Sequence, residues 1–344
     1  MEFQRVQQYS LKTSMAMANL FQSVVKVHPN CITKINCEND YYIGVKQASL
    51  ISEPFLNYLE QNGFHLHTID KASHKGRGID IELQNPITGR FMTGSSSGTA
   101  LNVFYGINDI GIGTDGGGSV LSPAAALNLI GIIHPKFGSE YIDFSRYEKA
   151  STDGINFTPS VGFISRSLQF IKMVSFLFVN ENTECGEIRL AVDSEIDSSK
   201  NLIRRENMKL KSIDLSYKYE SSREELIRSL ELLLSNFDVV ISKEGPIDLE
   251  GMGETLFGHF DEKTRHMQIQ GKKGFVRVVN MCNAIGLIVP STELSTGYLI
   301  ISKVQKGIER KLFDLAEVLI AKEDRLISNY FLDHQSYLNE GFDL

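Results

Sequence analysis

Several common features are missing from this sequence. It has no tryptophan, and its 4 cysteines among 344 residues form neither a CxxC pair nor a spacing that continues into histidine ligands. This pattern supports neither a zinc ribbon nor a thioredoxin-type site, and a chain of this length can bury a core without disulfides. We therefore expect the cysteines to be reduced core residues, namely Cys31, Cys37, Cys185 and Cys282.

Long apolar runs and an excess of positive charge are also missing. The most apolar stretch, residues 120–133, is interrupted by serine, proline and asparagine and is too short to span a bilayer. The polar amino terminus has no apolar signal core, so we expect a cytoplasmic location. With 35 basic and 42 acidic residues, the net charge of −7 has the wrong sign for a general phosphate binder. Neither nucleic acid nor a membrane is an expected partner.

The residues that are present predict a globular protein with alternating strands and helices. Apolar residues make up 42% and charged residues 22%, which is ordinary for a soluble domain. Apolar spacing of three and four predicts an amphipathic helix within 11–27, and the pattern predicts a strand at 41–46 and a helix at 53–62 that stops at Gly63. The polar stretch 71–90 is predicted to be a loop. The alternation favours an α/β fold with a largely internal sheet.

Glycine is concentrated in one segment, with 8 glycines in the 25 residues 94–118. That density indicates tight or left-handed backbone, or close approach to a ligand. Residues 111–116 match the dinucleotide fingerprint GxGxxG, which requires a strand before it, a helix after it and an acid about 20 residues later. Position 136, which lies 20 residues after the end of this match, is Lys rather than an acid. The fingerprint is therefore a weak signal.

Residues 94–98 also match the nucleophile elbow GxSxG, with Ser96 at its apex. An elbow follows a strand, and at most three extended residues precede this one. A Ser-His-Asp esterase nevertheless stays as a minor alternative, because four later histidines could supply the base: His134, His259, His266 and His334.

A third pattern uses both serine clusters and a lysine. Residues 93–100, TGSSSGTA, and 113–120, GTDGGGSV, resemble the GGSSGGSA and GTDTGGSIR motifs of the amidase signature family. The separation of Ser95 and Ser119, 119 − 95 = 24 residues, is the one that this family keeps between its catalytic serines. The strand that ends at Lys46 resembles the one that carries the family's catalytic lysine. Further landmarks follow in the family's order as far as about residue 319.

The resemblance implies a fold and a domain organisation. The expected fold is α/β, a single large domain whose central mixed β-sheet is covered by helices on both faces. The domain would span 1–344, with the signature core at about 41–170 and the closing strands and helix at about 235–320. Because this chain is shorter than most family members, we expect a trimmed and more open acyl pocket.

The resemblance also implies a catalytic set. Ser119 would be the nucleophile, Lys46 the ultimate base, and Ser95 the relay that carries the proton between them. A serine hydroxyl needs such a base, and the lysine can act as one only if burial depresses its pKa. In this family the relay serine follows a cis peptide bond, so a cis bond is expected before Ser95.

The glycine loop would stabilise the transition state. The backbone N–H groups of Gly116, Gly117 and Gly118, with that of Ser119, would form the oxyanion hole, because no Cβ intrudes there. Asp115 would fix the loop. Ser96, together with its neighbour at 97, would be a supporting hydrogen-bond partner.

Two departures from the family pattern leave two function classes open. The family commonly has Asp after the lysine and Arg two residues after the nucleophile, whereas this chain has Gln47 and Leu121. The first class is an amidohydrolase with no metal or organic cofactor, acting on a small-molecule or peptide-like amide. The second is a catalytically impaired relative that binds a ligand or partner protein. A glutamine-fed amidotransferase component is disfavoured by the short chain, and a homodimer is left open.

Overall fold

The computed structural model describes residues 2–180, 186–196, 208–339 and 341. The strands in these ranges are β1 Val24–Val27, β2 Tyr41–Lys46, β3 Phe64–Asp70, β4 Ile79–Gln84, β5 Phe91–Thr93, β6 Ile110–Asp115, β7 Ile130–Ile133, β8 Lys149–Ala150, β9 Asn156–Phe157, β10 Ser160–Ser165, β11 Ile188–Asp193, β12 Met208–Ile213, β13 Val239–Glu244, β14 Ala284–Pro290 and β15 Gly297–Lys303. The α-helices are α1 Glu2–Ala18, α2 Glu53–Gln61, α3 Ser97–Phe104, α4 Leu121–Ala126, α5 Leu168–Ser175, α6 Arg223–Asn236, α7 Glu262–Gln270, α8 Ile308–Leu319, α9 Arg325–Phe331 and α10 His334–Asn339.

One sheet of 11 strands organises the molecule, in the order β1-β3-β2-β6-β10-β7-β14-β15-β13-β11-β12. Strand β2 is parallel to both of its neighbours, and β11 is parallel to both of its own. The strands between them, from β6 to β13, pair antiparallel. The sheet is therefore mixed, as the family resemblance implies.

Helices cover both faces of this sheet. Successive residues of a strand enter different cores, because side chains alternate across a strand. In β13, Val239 and Ile241 lie in one hydrophobic cluster and Val240 lies in the other. The first cluster is completed by residues of α2, α5 and α8, and the second by residues of α1, α3, α4 and α6. This layering confirms the predicted fold class.

Several local predictions hold for clear chemical reasons. Strand β2 lies at 41–46 as predicted, and all six of its residues are buried. Helix α2 begins where the Ser52 side chain accepts a hydrogen bond from the Phe55 N–H. The chain then leaves the helix through Gly63, whose φ is +84°. A Cβ there would lie 2.4 Å from the Asn39 carbonyl oxygen, so glycine is needed.

Three local predictions were wrong. The helix expected within 11–27 begins at Glu2 and ends at Ala18, and Val24–Val27 form an edge strand that pairs with β3. The stretch 71–90 is not only loop, since it contains β4, which pairs with β5. The cysteines are not all in the core: Cys31 is buried, but Cys37 is exposed and Cys282 is half-buried. Cys185 lies outside the described residues.

Within the described ranges, every helix is too short or too polar to cross a bilayer. The apolar stretch 120–133 instead forms α4 and β7, whose residues are buried in the two cores.

Candidate active site

Lys46 is the last residue of β2, an internal strand between β3 and β6. Its side chain is almost fully buried, with 7% of the residue exposed. The Nζ atom donates hydrogen bonds to Ser95 Oγ at 2.7 Å, to Thr114 Oγ1 at 2.9 Å and to the Thr114 carbonyl oxygen at 3.2 Å. All three acceptors are neutral oxygens.

This environment changes the acidity of the lysine. Burial lowers the pKa of Lys46 from 10.5 to about 7, against the opposing effect of the Asp115 carboxylate, and the positive charge of Lys149 lowers it further. A buried ammonium group loses hydration that neutral acceptors replace only in part. A substantial fraction of Lys46 is therefore uncharged near neutral pH, which a base requires.

Ser95 lies in the tight turn between β5 and α3. The turn depends on Gly94, whose φ is +71° and whose Cβ, if present, would lie 2.5 Å from the Pro123 ring. The Gly94 N–H donates to the Gly78 carbonyl at 2.9 Å and holds the turn against a neighbouring segment.

The expected cis peptide bond before Ser95 is not present. The only cis bond among the described residues is Gly245–Pro246, so the bond between Gly94 and Ser95 is trans. Gly94 has a left-handed conformation, and the bond that follows it is trans.

Asp115 fixes the loop that leads to Ser119. It is the last residue of β6, fully buried, and accepts hydrogen bonds from the N–H groups of Gly118 at 2.7 Å, Val120 at 2.6 Å and Leu121 at 3.3 Å. A carboxylate that gathers several N–H groups pins a backbone turn strongly. In this structure Asp115 therefore holds the backbone at 118–121.

Close packing requires a glycine at two of the three loop positions, Gly116 and Gly118, whereas Gly117 has room for a Cβ. A Cβ on Gly116 would lie 2.0 Å from the Phe157 ring, and one on Gly118, where φ is +94°, would lie 2.8 Å from the Val276 carbonyl oxygen. A Cβ on Gly117 would lie 3.7 Å from the Arg277 carbonyl oxygen. The loop therefore lies between the 157 segment and the 276–277 segment.

The backbone donors of this loop divide into two groups. The Gly118 N–H is engaged by Asp115, so it is removed from the donor set that the sequence analysis expects. Across the described ranges, the N–H groups of Gly116, Gly117 and Ser119 have no hydrogen-bond acceptor. These three are the donors available to a ligand.

Ser119 itself is half-buried and lines a cleft together with Lys46 and Ser95. The Ser119 carbonyl accepts the Ser96 N–H at 3.2 Å, which joins the two serine turns. Between the described side chains, Ser95 Oγ accepts from Lys46 and makes no bond to Ser119 Oγ. Catalytic hydrogen bonds of this kind are often long before substrate binds.

The cleft has a volume of about 1570 Å³. Small-molecule pockets commonly measure about 300–1,000 Å³, so this one is large. Its walls include the 73–78 segment, the 146–159 segment, the amino end of α6 and the 253–281 region. The size agrees with the expectation of an open acyl pocket.

The structure counts against both competing patterns. Residues 111–115 lie within β6, so the GxGxxG match is a strand rather than a phosphate-binding turn. Ser96 is fully buried, and its Oγ has no hydrogen-bond partner in the described part of the chain. His134, a candidate base for the elbow, lies 3.3 Å from Glu309 instead. Ser97 is also buried and donates to Asp80.

The two departures from the family pattern lie in different surroundings. Gln47 is exposed and lines the cleft. Leu121 is fully buried, and its Cδ1 lies 3.1 Å from the position of a Cβ on Gly286. A leucine therefore fills apolar space at that position.

Several residues of the site were missed by sequence reasoning. Thr114, which gives Lys46 two of its three acceptors, has no role in the sequence analysis. The arginines Arg223 and Arg277 and the aromatic Phe157 reach the cleft from distant segments. Thr114 could have been found from its place in the GTD motif, whereas isolated arginines give no signal.

Comparisons with known proteins bear on the family resemblance and on the fold. Residues 82–185, which include Ser95 and Ser119, match the family model described as Amidase. The resemblance to the amidase family is confirmed. None of the curated proteins matches the sequence.

Solved structures share the fold of this amidase-like chain at low identity. One chain of a glutamyl-tRNA(Gln) amidotransferase from Thermotoga maritima is 16% identical, with a TM-score of 0.62, and the match covers 91% of this chain and 90% of that one. An allophanate hydrolase from Kluyveromyces lactis is 14% identical, with a TM-score of 0.62 and coverage of 92% and 70%. A structure described as an amidase is 15% identical, with a TM-score of 0.59 and coverage of 92% and 98%.

Proposed function

We propose that this protein hydrolyses a carboxamide C–N bond through a covalent acyl-serine intermediate. The observation that carries the proposal is the 2.7 Å hydrogen bond between Lys46 and Ser95, made by a buried lysine whose pKa is lowered to about 7. An amine that is partly neutral and bonded to a serine beside a second, cleft-facing serine is suited to activating a hydroxyl.

The reaction begins when Ser119 Oγ attacks the amide carbon. Its proton passes to Ser95 Oγ, and the Ser95 proton passes to neutral Lys46 Nζ. The tetrahedral intermediate then breaks its C–N bond, and Ser95 donates a proton to the departing nitrogen while recovering one from Lys46. A water molecule then attacks the acyl carbon while Ser95 and Lys46 accept its proton. The ester bond breaks, the carboxylic acid leaves, and the proton returns to Ser119 Oγ.

The free N–H groups of Gly116, Gly117 and Ser119 are our candidates for stabilising the oxyanion. Preorganised backbone donors stabilise the developing charge without reorganisation, and loss of one such donor costs about 10²–10³ in kcat. Asp115 contributes indirectly, since it holds the Gly118 and Val120 N–H groups and so fixes the loop.

The substrate that we propose is a linear amide, small or peptide-like. The large cleft supports it, since about 1570 Å³ accommodates an acyl group and an amine group together. Family likeness points to the C–N bond as the bond cleaved.

The test is the intact mass of the protein after treatment with a serine-reactive fluorophosphonate. We expect one adduct on the wild type, none on Ser119→Ala, and slower labelling of Lys46→Met. Absence of an adduct, under conditions that label a known serine hydrolase, would favour the impaired binding protein. An adduct on Ser96 would favour the esterase alternative.

A further inference from the structure

Asp70 is a buried carboxyl group to which the proposed reaction gives no role. It is the last residue of β3 and is fully buried. Its Oδ1 atom accepts hydrogen bonds from Asn102 Nδ2 and from Thr68 Oγ1, both at 2.6 Å. Its Oδ2 atom is buried and has no hydrogen-bond partner among the described residues. Burial of a carboxyl group that is only partly bonded is costly, so its presence here requires a physical reason.

The carboxyl group lies on the same side of the sheet as the Lys46 side chain. Asp70 pairs with Lys46 in the parallel register of β3 and β2, and aligned residues of neighbouring strands point to the same face. The Asp70 Oδ2 atom lies 2.4 Å from the position that a Cβ on Gly44 would take. Gly44 is two residues before Lys46, so that Cβ would point to the face of the lysine. The carboxyl group therefore occupies space on β2 that the glycine leaves open.

Asp70 also joins the segments that carry the proposed base and relay. Its carbonyl oxygen accepts the N–H of Gln47, the residue directly after Lys46, at 2.9 Å. Its side chain bonds to Asn102 of α3, the helix that begins two residues after Ser95. These bonds fix the place of the carboxyl group relative to the hydrogen bond between Lys46 and Ser95.

The other ionisable groups near Asp70 leave its charge uncompensated. Lys71, the next residue in the chain, is paired with Glu82. His67 bonds to Asn108 in the same buried network and is uncharged at neutral pH, because burial lowers its pKa to about 4. Among the described residues, Asp70 forms no ion pair within 4 Å. Its contacts are thus all with neutral groups.

Asp70 and Lys46 change charge in the same pH range. Burial raises the pKa of Asp70 to about 7, and burial lowers the pKa of Lys46 to about 7. A nearby negative charge favours the ammonium form of a lysine, whereas a neutral acid does not. The charged groups that face Lys46 from β6 and β8, Asp115 and Lys149, act on it in opposite directions. The state of the β3 carboxyl group then decides the balance.

We infer that Asp70 is a positioning residue that acts through Lys46: when ionised it retains the proton on the lysine, and when protonated it leaves the lysine free to act as the base. The inference rests on the proposed function, because it adds a residue to the control of that site. The role is electrostatic, so Asp70 forms no bond to the substrate and its proton is exchanged with water.

The experiment compares the pH profile of fluorophosphonate labelling of Ser119 in the wild type and in Asp70→Asn. The labelling rate should rise as Lys46 becomes neutral, so the midpoint of the rise reports the lysine. Asparagine keeps an acceptor for Asn102 but carries no charge, and we expect the midpoint to move to lower pH by about 0.5–1 pH unit. A purely structural role would change the rate without lowering the midpoint.

Glu244→Gln is the matched control. Glu244 is also fully buried, and burial raises its pKa as well, but it lies on β13, the sixth strand from β2 in the sheet order. We expect this variant to keep the wild-type midpoint, because the removed charge is several strands away from Lys46.

Thr68→Val is a second variant, for the case in which Asp70→Asn folds poorly or is labelled too slowly to measure. It removes a hydrogen bond that lowers the pKa of Asp70, so the carboxyl group keeps its proton to higher pH. The midpoint of labelling should therefore move in the same direction as in Asp70→Asn, by a smaller amount.

The inference is overturned if the midpoint in Asp70→Asn stays at the wild-type value or moves to higher pH. It is also overturned if Glu244→Gln moves the midpoint equally. The proposed function is judged separately, by labelling of Ser119 in the wild type. Absence of labelling there would refute the function and this inference together, whereas labelling with one midpoint in all variants would refute the role of Asp70 alone.

Discussion

A buried lysine lies towards each end of the central sheet, and the two lysines differ in the groups that their ammonium nitrogens contact. At the end of β2, Lys46 contacts only neutral oxygens, those of Ser95 and Thr114. Beside β11, the fully buried Lys218 contacts the Asp193 carboxylate at 2.5 Å. A buried ammonium with a carboxylate in contact is a structural ion pair, whereas one with hydroxyl partners is poised to lose its proton. We propose that the hydrogen-bond partner, rather than burial, separates a base at Lys46 from a structural cation at Lys218.

The largest expected effect is on the Lys46 side of this comparison. Lys46→Met removes the proposed base, so the rate of Ser119 labelling should fall by about 10²–10⁴, the usual contribution of an acid–base group. Stopped-flow or discontinuous mass measurements give the rate. Circular dichroism would verify that the variant is folded, and a rate within a few-fold of wild type would exclude Lys46 as the base.

On the other side, Lys218→Met should affect stability rather than chemistry. It leaves Asp193 buried without its cation, and breaking a buried ion pair costs about 3–5 kcal/mol in the free energy of unfolding. Urea titration measures this loss. The labelling rate of the folded protein should stay near the wild-type value.

The double variant Asp193→Leu/Lys218→Met is the control for that result. Removing both charges should recover part of the lost stability, because an apolar pair has no desolvation penalty. If Lys218→Met instead abolished labelling of Ser119 while the free energy of unfolding was unchanged, Lys218 would not be a purely structural residue, and the comparison with Lys46 would be wrong.

Some features of the fold and of the candidate site could be predicted from the sequence alone. The strand at 41–46 and the helix at 53–62 follow from local patterns, namely an apolar run, a Ser cap and a glycine stop. The proximity of Lys46, Ser95 and Ser119 follows from the resemblance, because their order and spacing match a known motif. Local pattern and motif were sufficient for these features.

Other features depend on contacts that no local pattern encodes. Gly94 packs closely against Pro123 and is followed by a trans bond, and the Gly118 N–H donates to the Asp115 carboxylate rather than being free for a ligand. Arg277 reaches the cleft because Glu244 holds its segment by two backbone N–H groups. The bond before Ser95 is a choice between two backbone conformations. The other two features depend on contacts made in the folded structure.

The pH dependence of labelling sharpens the comparison at Lys46. The base must be neutral, and burial lowers its pKa to about 7, so the rate should increase as pH rises through about 7 and level off above it. Rates measured from about pH 5.5 to about pH 9, on either side of that midpoint, would show where it lies. The residual rate of Lys46→Met should lack this midpoint. A midpoint near 10 would mean that Lys46 has about the acidity of an exposed lysine.

The smallest expected effect comes from a neighbour of Lys46. The positive charge of Lys149 lowers the pKa of Lys46, so Lys149→Met should raise that pKa and move the midpoint of the labelling profile to higher pH. Lys149 is exposed, so screening by water and salt should keep the shift below about one pH unit and reduce it further at high ionic strength. Arg146→Met is the matched control, since Arg146 is an exposed cation of the same cleft that is paired with Asp143. A midpoint that moved downward in Lys149→Met, or equally in both variants, would show that Lys149 does not act directly on Lys46.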